Sequence, residues 1–255
     1  VNNDSLIEMI GLTRRFGAVE AVRDLNLNVH RGEIFGFLGP NGAGKTTTIR
    51  MLVGLLQPSA GTARVAGYDV QRQPLQAKAA IGFVPDEPTL YDKLTGREFL
   101  QFKADLYSLE PARARRRAEE LLRLFDLDER ADDLIESYSH GMRQKAALAG
   151  ALIHDPPVLI LDEPTVGLDP KSARLIKDIL RQLSQRGAAV FMSTHILEIA
   201  ERMCDRVGII DRGRLIAVGT MDELRHGTNG ASSLEDIFLA LTGGAEYAAI
   251  AEILA

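Results

Sequence analysis

Three short stretches carry side chains that could act together on a phosphoryl group. Residues Gly39 to Thr46, GPNGAGKT, fit the pattern G-x-x-x-x-G-K-[ST]. In such a loop glycines let successive backbone N–H groups converge on phosphate oxygens, and the helix that follows adds favourable partial charge at its start. Lys45 would reach the β- and γ-phosphates and Thr46 would ligate Mg²⁺. The second stretch, VLILDE from Val158 to Glu163, is an apolar strand ending in two carboxylates. Asp162 at its C-terminal end is placed to hold Mg²⁺ through water, and Glu163 to orient and polarise an attacking water. The third, AAVFMSTH, is another strand whose end would deliver His195 to the same sheet edge, beside the γ-phosphate.

A fourth stretch poses a question of number. SYSHGMRQKAALAGAL, Ser137 to Leu152, also opens like a helix start built to hold an anion, with Ser139, His140 and Gly141 ahead of good helix formers. One nucleotide needs only one cradle.

The elements that must position these residues can be read from periodicity. Apolar and polar residues alternate at Ile7 to Ile10 and Leu25 to Val29, so antiparallel strands feed a continuous apolar strand from Ile34 to Leu38. Helical spacing at Ile49, Leu52, Val53 and Leu56 predicts a helix running to PSAG, and TARVAGYDV returns to strand. From Thr95 to about Leu127 the text is helical and interrupts the α/β pattern. Its basic run predicts solvated i, i+4 pairs, Arg115 with Glu119 and Arg116 with Glu120. Beyond VLILD, strand and helix signals alternate through RVGIID and GRLIAVG, which predicts parallel strands joined by crossover helices. The segment SSLEDIFLALTG carries a capping-box spacing, Ser232 to Glu235, and an apolar stripe at Leu234, Ile237, Phe238 and Leu241 that should dock on the body or on a second subunit.

Composition sets the outer bounds. At 255 residues, 45% hydrophobic and 25% charged, the chain reads as one globular unit with sub-lobes. A net charge of −5 argues against a broad footprint on nucleic acid. The single cysteine, Cys204, excludes an intrachain disulfide and an all-cysteine metal site. The opening VNNDSLIEMI lacks the basic segment and apolar core of a secretory leader, and no stretch approaches the roughly 18 apolar residues of a membrane span. Work at a membrane would need a partner.

Taken together, the motifs resemble the nucleotide-binding subunits of ATP-binding cassette transporters, over a span from about Ile7 to Gly243. GPNGAGKTT is similar to their Walker A loop, LILDEP to Walker B, GLDP with Asp169 to the D-loop, STH with His195 to the H-loop, and YSHGMRQ to the signature segment. The resemblance implies an α/β fold. It would have a P-loop NTPase core with a mostly parallel sheet (1–86 and 156–220), an antiparallel β sub-lobe, an inserted helical sub-lobe (87–155) and a helical tail (221–255). It implies ATP bound by Asn41, Gly42, Ala43, Gly44, Lys45, Thr46 and Thr47, with Phe16 stacked on adenine. Mg²⁺ would be held by Thr46 and Asp162, and Asp86, standing where the family commonly has Gln, would contact its water. It also answers the question of number: Ser139, His140, Gly141 and Met142 would serve the γ-phosphate held by Lys45 of a second cassette, identical or different.

The activity so implied is Mg²⁺-dependent ATP hydrolysis that opens and closes a dimer, coupled to a separately encoded permease of exporter type. The permease would be received near Asp86 to Leu94, leaving this subunit peripheral to the inner face of the cell membrane. No direct contact with nucleic acid is expected. The competing readings are an importer ATPase and a soluble cassette ATPase of the translation-factor or chromosome and repair class.

Overall fold

The computed structural model describes residues 4–227 and 233–242. Two sheets organise the chain. A four-stranded antiparallel sheet has the order β2-β1-β4-β5, from β1 (Ser5–Phe16), β2 (Val19–His30), β4 (Ala60–Val65) and β5 (Tyr68–Asp69). A six-stranded sheet has the order β10-β9-β3-β8-β7-β6. Its strands are β3 (Ile34–Leu38), β6 (Ile81–Val84), β7 (Val158–Asp162), β8 (Ala189–Thr194), β9 (Arg206–Asp211) and β10 (Arg214–Gly219). Strands β3, β7 and β8 are buried along their whole length. This is why their sequences are continuous apolar runs and not alternating ones.

The pleat sends alternate residues of these strands into two different cores. Ile34, Leu38, Leu159 and Leu161 join a core built with the helices, whereas Phe35, Phe37, Val158 and Ile160 join the core beneath the antiparallel sheet. Phe191 ties the latter together, with its ring centroid 5.8 Å from Phe35 and 5.3 Å from Phe37. Helix α1 (Lys45–Leu52) and α2 (Pro74–Ala79) lie on the antiparallel side. The opposite side is covered by α6 (Pro170–Gln185) and α7 (Leu197–Met203), and by α3 (Gly96–Leu106), α4 (Pro111–Leu124) and α5 (His140–Leu152), which pack on one another. Helix α3 starts at a complete capping box, Thr95 with Glu98. Helices α8 (Met221–Gly227) and α9 (Leu234–Thr242) complete the described chain.

Four expectations are corrected. Helix α1 ends at Leu52, because Gly54 takes φ 68° and the helix cannot continue through it; Leu56 therefore lies beyond the helix. Strand β10 pairs with β9 antiparallel, since the two-residue link Arg212-Gly213, at φ 46° and 78°, is a tight hairpin turn with no room for a crossover. Arg115 and Arg116 do not pair with Glu119 and Glu120. Packing of α3 on α4 gives Glu119 to Arg97, which also bonds Asp132 at 2.8 Å, while Glu120 lies 3.6 Å from Arg117. In the last helix Ser232 lies outside the described residues, and the reciprocal cap is made one residue later. There Ser233 Oγ accepts from the Asp236 N–H at 3.1 Å, and Asp236 Oδ2 accepts from the Ser233 N–H at 3.1 Å. Leu234 and Ile237 are fully buried where α9 packs on α7 and α8, and Phe238 packs beside them, so these residues dock on the body of the chain, whereas Leu241 is exposed.

Candidate functional site: a phosphate cleft at the strand ends

The C-terminal ends of β3 and β7 open into a cleft lined by Ala21, Pro40, Asn41, Gly42, Gly44, Lys45, Thr46, Thr47, Asp86, Asp162 and Glu163. The loop that forms its floor is set by close approach. Gly44 adopts φ 111°, and a Cβ there would sit 2.5 Å from the Ala21 carbonyl oxygen, so only glycine lets the loop pass β2 and enter α1. Ala43 does not line the cleft: it is buried, and its carbonyl accepts the Gly213 N–H at 2.9 Å.

Lys45 is 8% exposed, and its Nζ donates to the carbonyls of Gly39 at 2.6 Å and Pro40 at 3.2 Å. Burial lowers its pKa, while the charges of Glu163 and Asp162 act in the opposite sense. The ammonium is thus partly desolvated and, among the described residues, hydrogen-bonded only to its own loop, ready to exchange neutral carbonyls for an anion. On the other side, Asp86 is held above the usual carboxylate range, first by desolvation and then by the negative charges of Asp162, Glu163 and Glu87. Mutually repelling carboxylates beside a backbone cradle for phosphate are an environment that a divalent cation would relieve.

Among the described residues no group of three or more His, Cys, Asp or Glu side chains is arranged to hold a metal ion by itself. The oxygen donors lining the cleft include the Thr46 hydroxyl and the carboxylates of Asp162 and Asp86, while the Glu163 carboxylate is turned to His195. That sparse, all-oxygen set fits Mg²⁺, which keeps several waters and is commonly shared with substrate phosphates.

Asp162 is buried, and Ser193 Oγ donates to its Oδ1 at 2.5 Å. Glu163 turns sharply out of β7 with φ 51°, a left-handed conformation uncommon for a residue with a Cβ. Its side chain leaves the strand end toward His195: Oε1 lies 3.0 Å from Nδ1, and Oε2 accepts the His195 backbone N–H at 3.3 Å. Lys45, Thr46, Asp162, Glu163 and Asp86 therefore share one cleft, with His195 joined through Glu163. Sequence inspection missed Ser193, although it lies in β8 only two residues before His195.

Other singled-out residues stand apart from the cleft. Ser139 is the N-cap of α5 and accepts the Met142 N–H at 3.3 Å, while His140 Nε2 lies 3.4 Å from the Val166 carbonyl. None of Ser139, His140, Gly141 and Met142 lines the cleft that holds Lys45. Helix α5 is instead tied to the segment after β7 by buried Gln144, whose Nε2 donates to the Pro164 carbonyl at 3.3 Å. Asp169 caps α6, accepting from the Ser172 N–H at 3.0 Å and the Ser172 hydroxyl at 2.7 Å; these bonds hold its carboxyl below the usual range. Phe16, at the end of β1, is half exposed and does not line the cleft; the Arg14 guanidinium lies 4.5 Å from its ring centroid.

Comparison with known proteins matches this arrangement to one family. The ABC transporter family profile matches residues 22–166. The linearmycin resistance ATP-binding protein LnrL of Bacillus subtilis (strain 168) is 42% identical over 219 residues, 86% of this chain and 70% of that protein. The Nod factor export ATP-binding protein I of Ralstonia nicotianae is 41% identical over 224 residues, 88% of this chain and 70% of that protein. A solved ATP-binding subunit of an ABC transporter superposes with a TM-score of 0.89 at 35% identity, covering 93% of this chain and 99% of its own. The ATP-binding cassette MJ0796, solved as a dimer in a post-hydrolysis state with ADP and Pi, gives a TM-score of 0.78 at 25% identity, covering 84% of this chain and 98% of its own. The chain belongs to the ABC transporter family and is one of its ATP-binding, ATP-hydrolysing subunits.

Proposed function

We propose that this subunit drives an exporter, working as a sandwich of two cassettes beneath a separate transmembrane permease. The observation that carries the reading is the division of the anion-binding parts. Lys45, Thr46, Asp162 and Glu163 share one cleft, whereas the helix start at Ser139 to Met142 lies off it and is free to serve the cleft of another cassette. Export is favoured over import by relatives named for drug resistance and Nod factor export.

In this reading the backbone from Asn41 to Thr47 cradles the phosphates of ATP, and Lys45 swings from the Gly39 and Pro40 carbonyls to the β- and γ-phosphates. Thr46 and Asp162 would hold Mg²⁺, Asp162 and Asp86 partly through water, and the bound ion would supply positive charge opposite the phosphates. Glu163 orients the attacking water and polarises it, and His195, bonded to the same carboxylate, contacts the γ-phosphate. Phe16 stacks on adenine, with Arg14 behind its ring. Ser139, His140, Gly141 and Met142 close on the γ-phosphate of the partner cassette, so hydrolysis removes the contact that holds the sandwich shut. Asp169 shapes the D-loop by capping α6 and need not touch nucleotide itself.

The division into a nucleotide-binding core (1–86 and 156–220), a helical sub-lobe (87–155) and a tail (221–255) follows the same reading. Among the described residues no helix is long and apolar enough to cross a membrane, and the permease would meet the segment from Asp86 to Leu94. There Tyr91 packs edge-on against Phe102 of α3, at 5.0 Å, beside a groove lined by Pro85, Pro88, Leu90 and Leu106.

The test is the mass of the Glu163→Gln variant in solution, by light scattering, with and without ATP and Mg²⁺. A dimer that forms only with nucleotide, and is lost on adding Ser139→Arg, supports the sandwich. Phosphate release by Glu163→Gln at the wild-type rate would overturn the role of Glu163.

A further inference from the structure

We propose that Ser193 is a positioning residue for hydrolysis, holding both acids at the end of β7 in their working geometry. The proposal rests on the reading of Asp162 as the metal-facing carboxylate and Glu163 as the water-orienting one.

Parallel pairing of β7 with β8 places Ser193 directly beside Asp162. The serine is fully buried. Its Oγ donates to Asp162 Oδ1 at 2.5 Å, and Ser193 Oγ itself accepts the Glu163 N–H at 3.2 Å. That N–H also reaches the Ser193 carbonyl at 3.2 Å. One hydroxyl therefore fixes the rotamer of Asp162 and, on its other side, pins the peptide at which Glu163 turns to φ 51°.

The second contact matters because the left-handed turn sends the Glu163 side chain to His195 and not along the strand. No apolar residue could do both tasks: a methyl group in place of the hydroxyl neither donates to the carboxylate nor accepts from the N–H. Asp162 would keep one oxygen buried and unpaired, and would be free to rotate away from the Thr46 side of the cleft. The backbone bond from Glu163 to the Ser193 carbonyl would survive, so the strand pairing itself does not depend on the side chain.

The experiment compares Ser193→Ala and Ser193→Thr with the wild-type chain in three measurements. These are binding of a fluorescent ATP analogue with and without Mg²⁺, steady-state phosphate release, and thermal unfolding. Ser193→Ala should bind the analogue without Mg²⁺ as the wild type does. The Mg²⁺ concentration giving half-maximal phosphate release should rise at least threefold, and kcat should fall at least tenfold, with KM for ATP changed less than twofold. Ser193→Thr keeps a hydroxyl and should recover most of kcat if it folds. An unchanged Mg²⁺ requirement with kcat within twofold of wild type overturns the proposal. So does a loss of Mg²⁺-free analogue binding in step with a lowered unfolding temperature, which marks a purely structural serine. Glu163→Gln run alongside separates the two readings: if it keeps wild-type phosphate release, the assignment of the acids has failed, whatever Ser193 does.

Discussion

Replacing Gly44 with alanine isolates the close approach that shapes the phosphate loop, because Gly42 provides a control in the same loop. Both glycines have positive φ, 111° at Gly44 and 78° at Gly42, so a Cβ is unfavourable at either. At Gly42 the added carbon meets nothing within 4 Å, and only the backbone term of about 1–2 kcal/mol applies. At Gly44 the carbon would stand 2.5 Å from the Ala21 carbonyl oxygen and 3.3 Å from Val22 Cγ2. The oxygen belongs to the backbone of β2 and cannot rotate away, so a packing penalty of about 1–3 kcal/mol is added.

Gly44→Ala should therefore lower the free energy of unfolding by about 2–5 kcal/mol, and Gly42→Ala by about 1–2 kcal/mol. Urea unfolding without nucleotide reads the difference. With a slope of about 2–3 kcal/mol/M, the midpoints of the two variants should lie roughly 0.3–1.5 M apart. Coincident midpoints would refute the argument that contact with Ala21 dictates glycine at this position. Protection by ATP should also fall more for Gly44→Ala, since the start of α1 is displaced along with the loop.

Two further outcomes follow from other parts of the chain. Phe16→Ala should weaken ATP binding about tenfold, as base stacking on an aromatic ring is worth about 1–3 kcal/mol; an unchanged nucleotide titration would remove Phe16 from the site. His154 is pushed down to about 4 by burial, and its ring stacks on Tyr107 with centroids 3.6 Å apart. The unfolded chain protonates this histidine near 6.5 and the folded chain only near 4. Its contribution to stability is thus complete above 6.5 and is lost as pH falls from 6.5 toward about 4, by about 3 kcal/mol in all. His154→Phe keeps the stack and should flatten that acid limb when urea midpoints are measured across pH; an unchanged limb would place the titration elsewhere.

Lys45, Thr46, Asp162 and Glu163 were legible in the sequence because each is encoded by its neighbours, whereas Asp86 came only from the resemblance and Ala21, on β2, was not singled out. A glycine loop between a buried strand and a helix can form locally, and a strand that ends in carboxylates delivers them wherever the strand is placed. The fold class followed from the same local signals, since continuous apolar runs alternating with helices leave few arrangements other than a parallel sheet covered on both faces. Errors arose where a local pattern was stretched past a turn. Gly54 stopped α1 before Leu56, and the Arg212-Gly213 hairpin reversed β10.

Only the tertiary structure decided which side chains meet across long separations in the chain. Glu119 lies one turn from Arg115 in α4, but α3 brings it Arg97 instead, a choice made by helix packing. Asp162 is paired with Ser193, and Glu163 with His195, because β7 and β8 lie in register. The helix start at Ser139 is held away from the Lys45 cleft by the path of α5, which is bonded through Gln144 to the segment after β7. Local propensity specifies the parts, since it depends on a few consecutive residues. Register and packing specify their partners, since those depend on how two distant segments share one core.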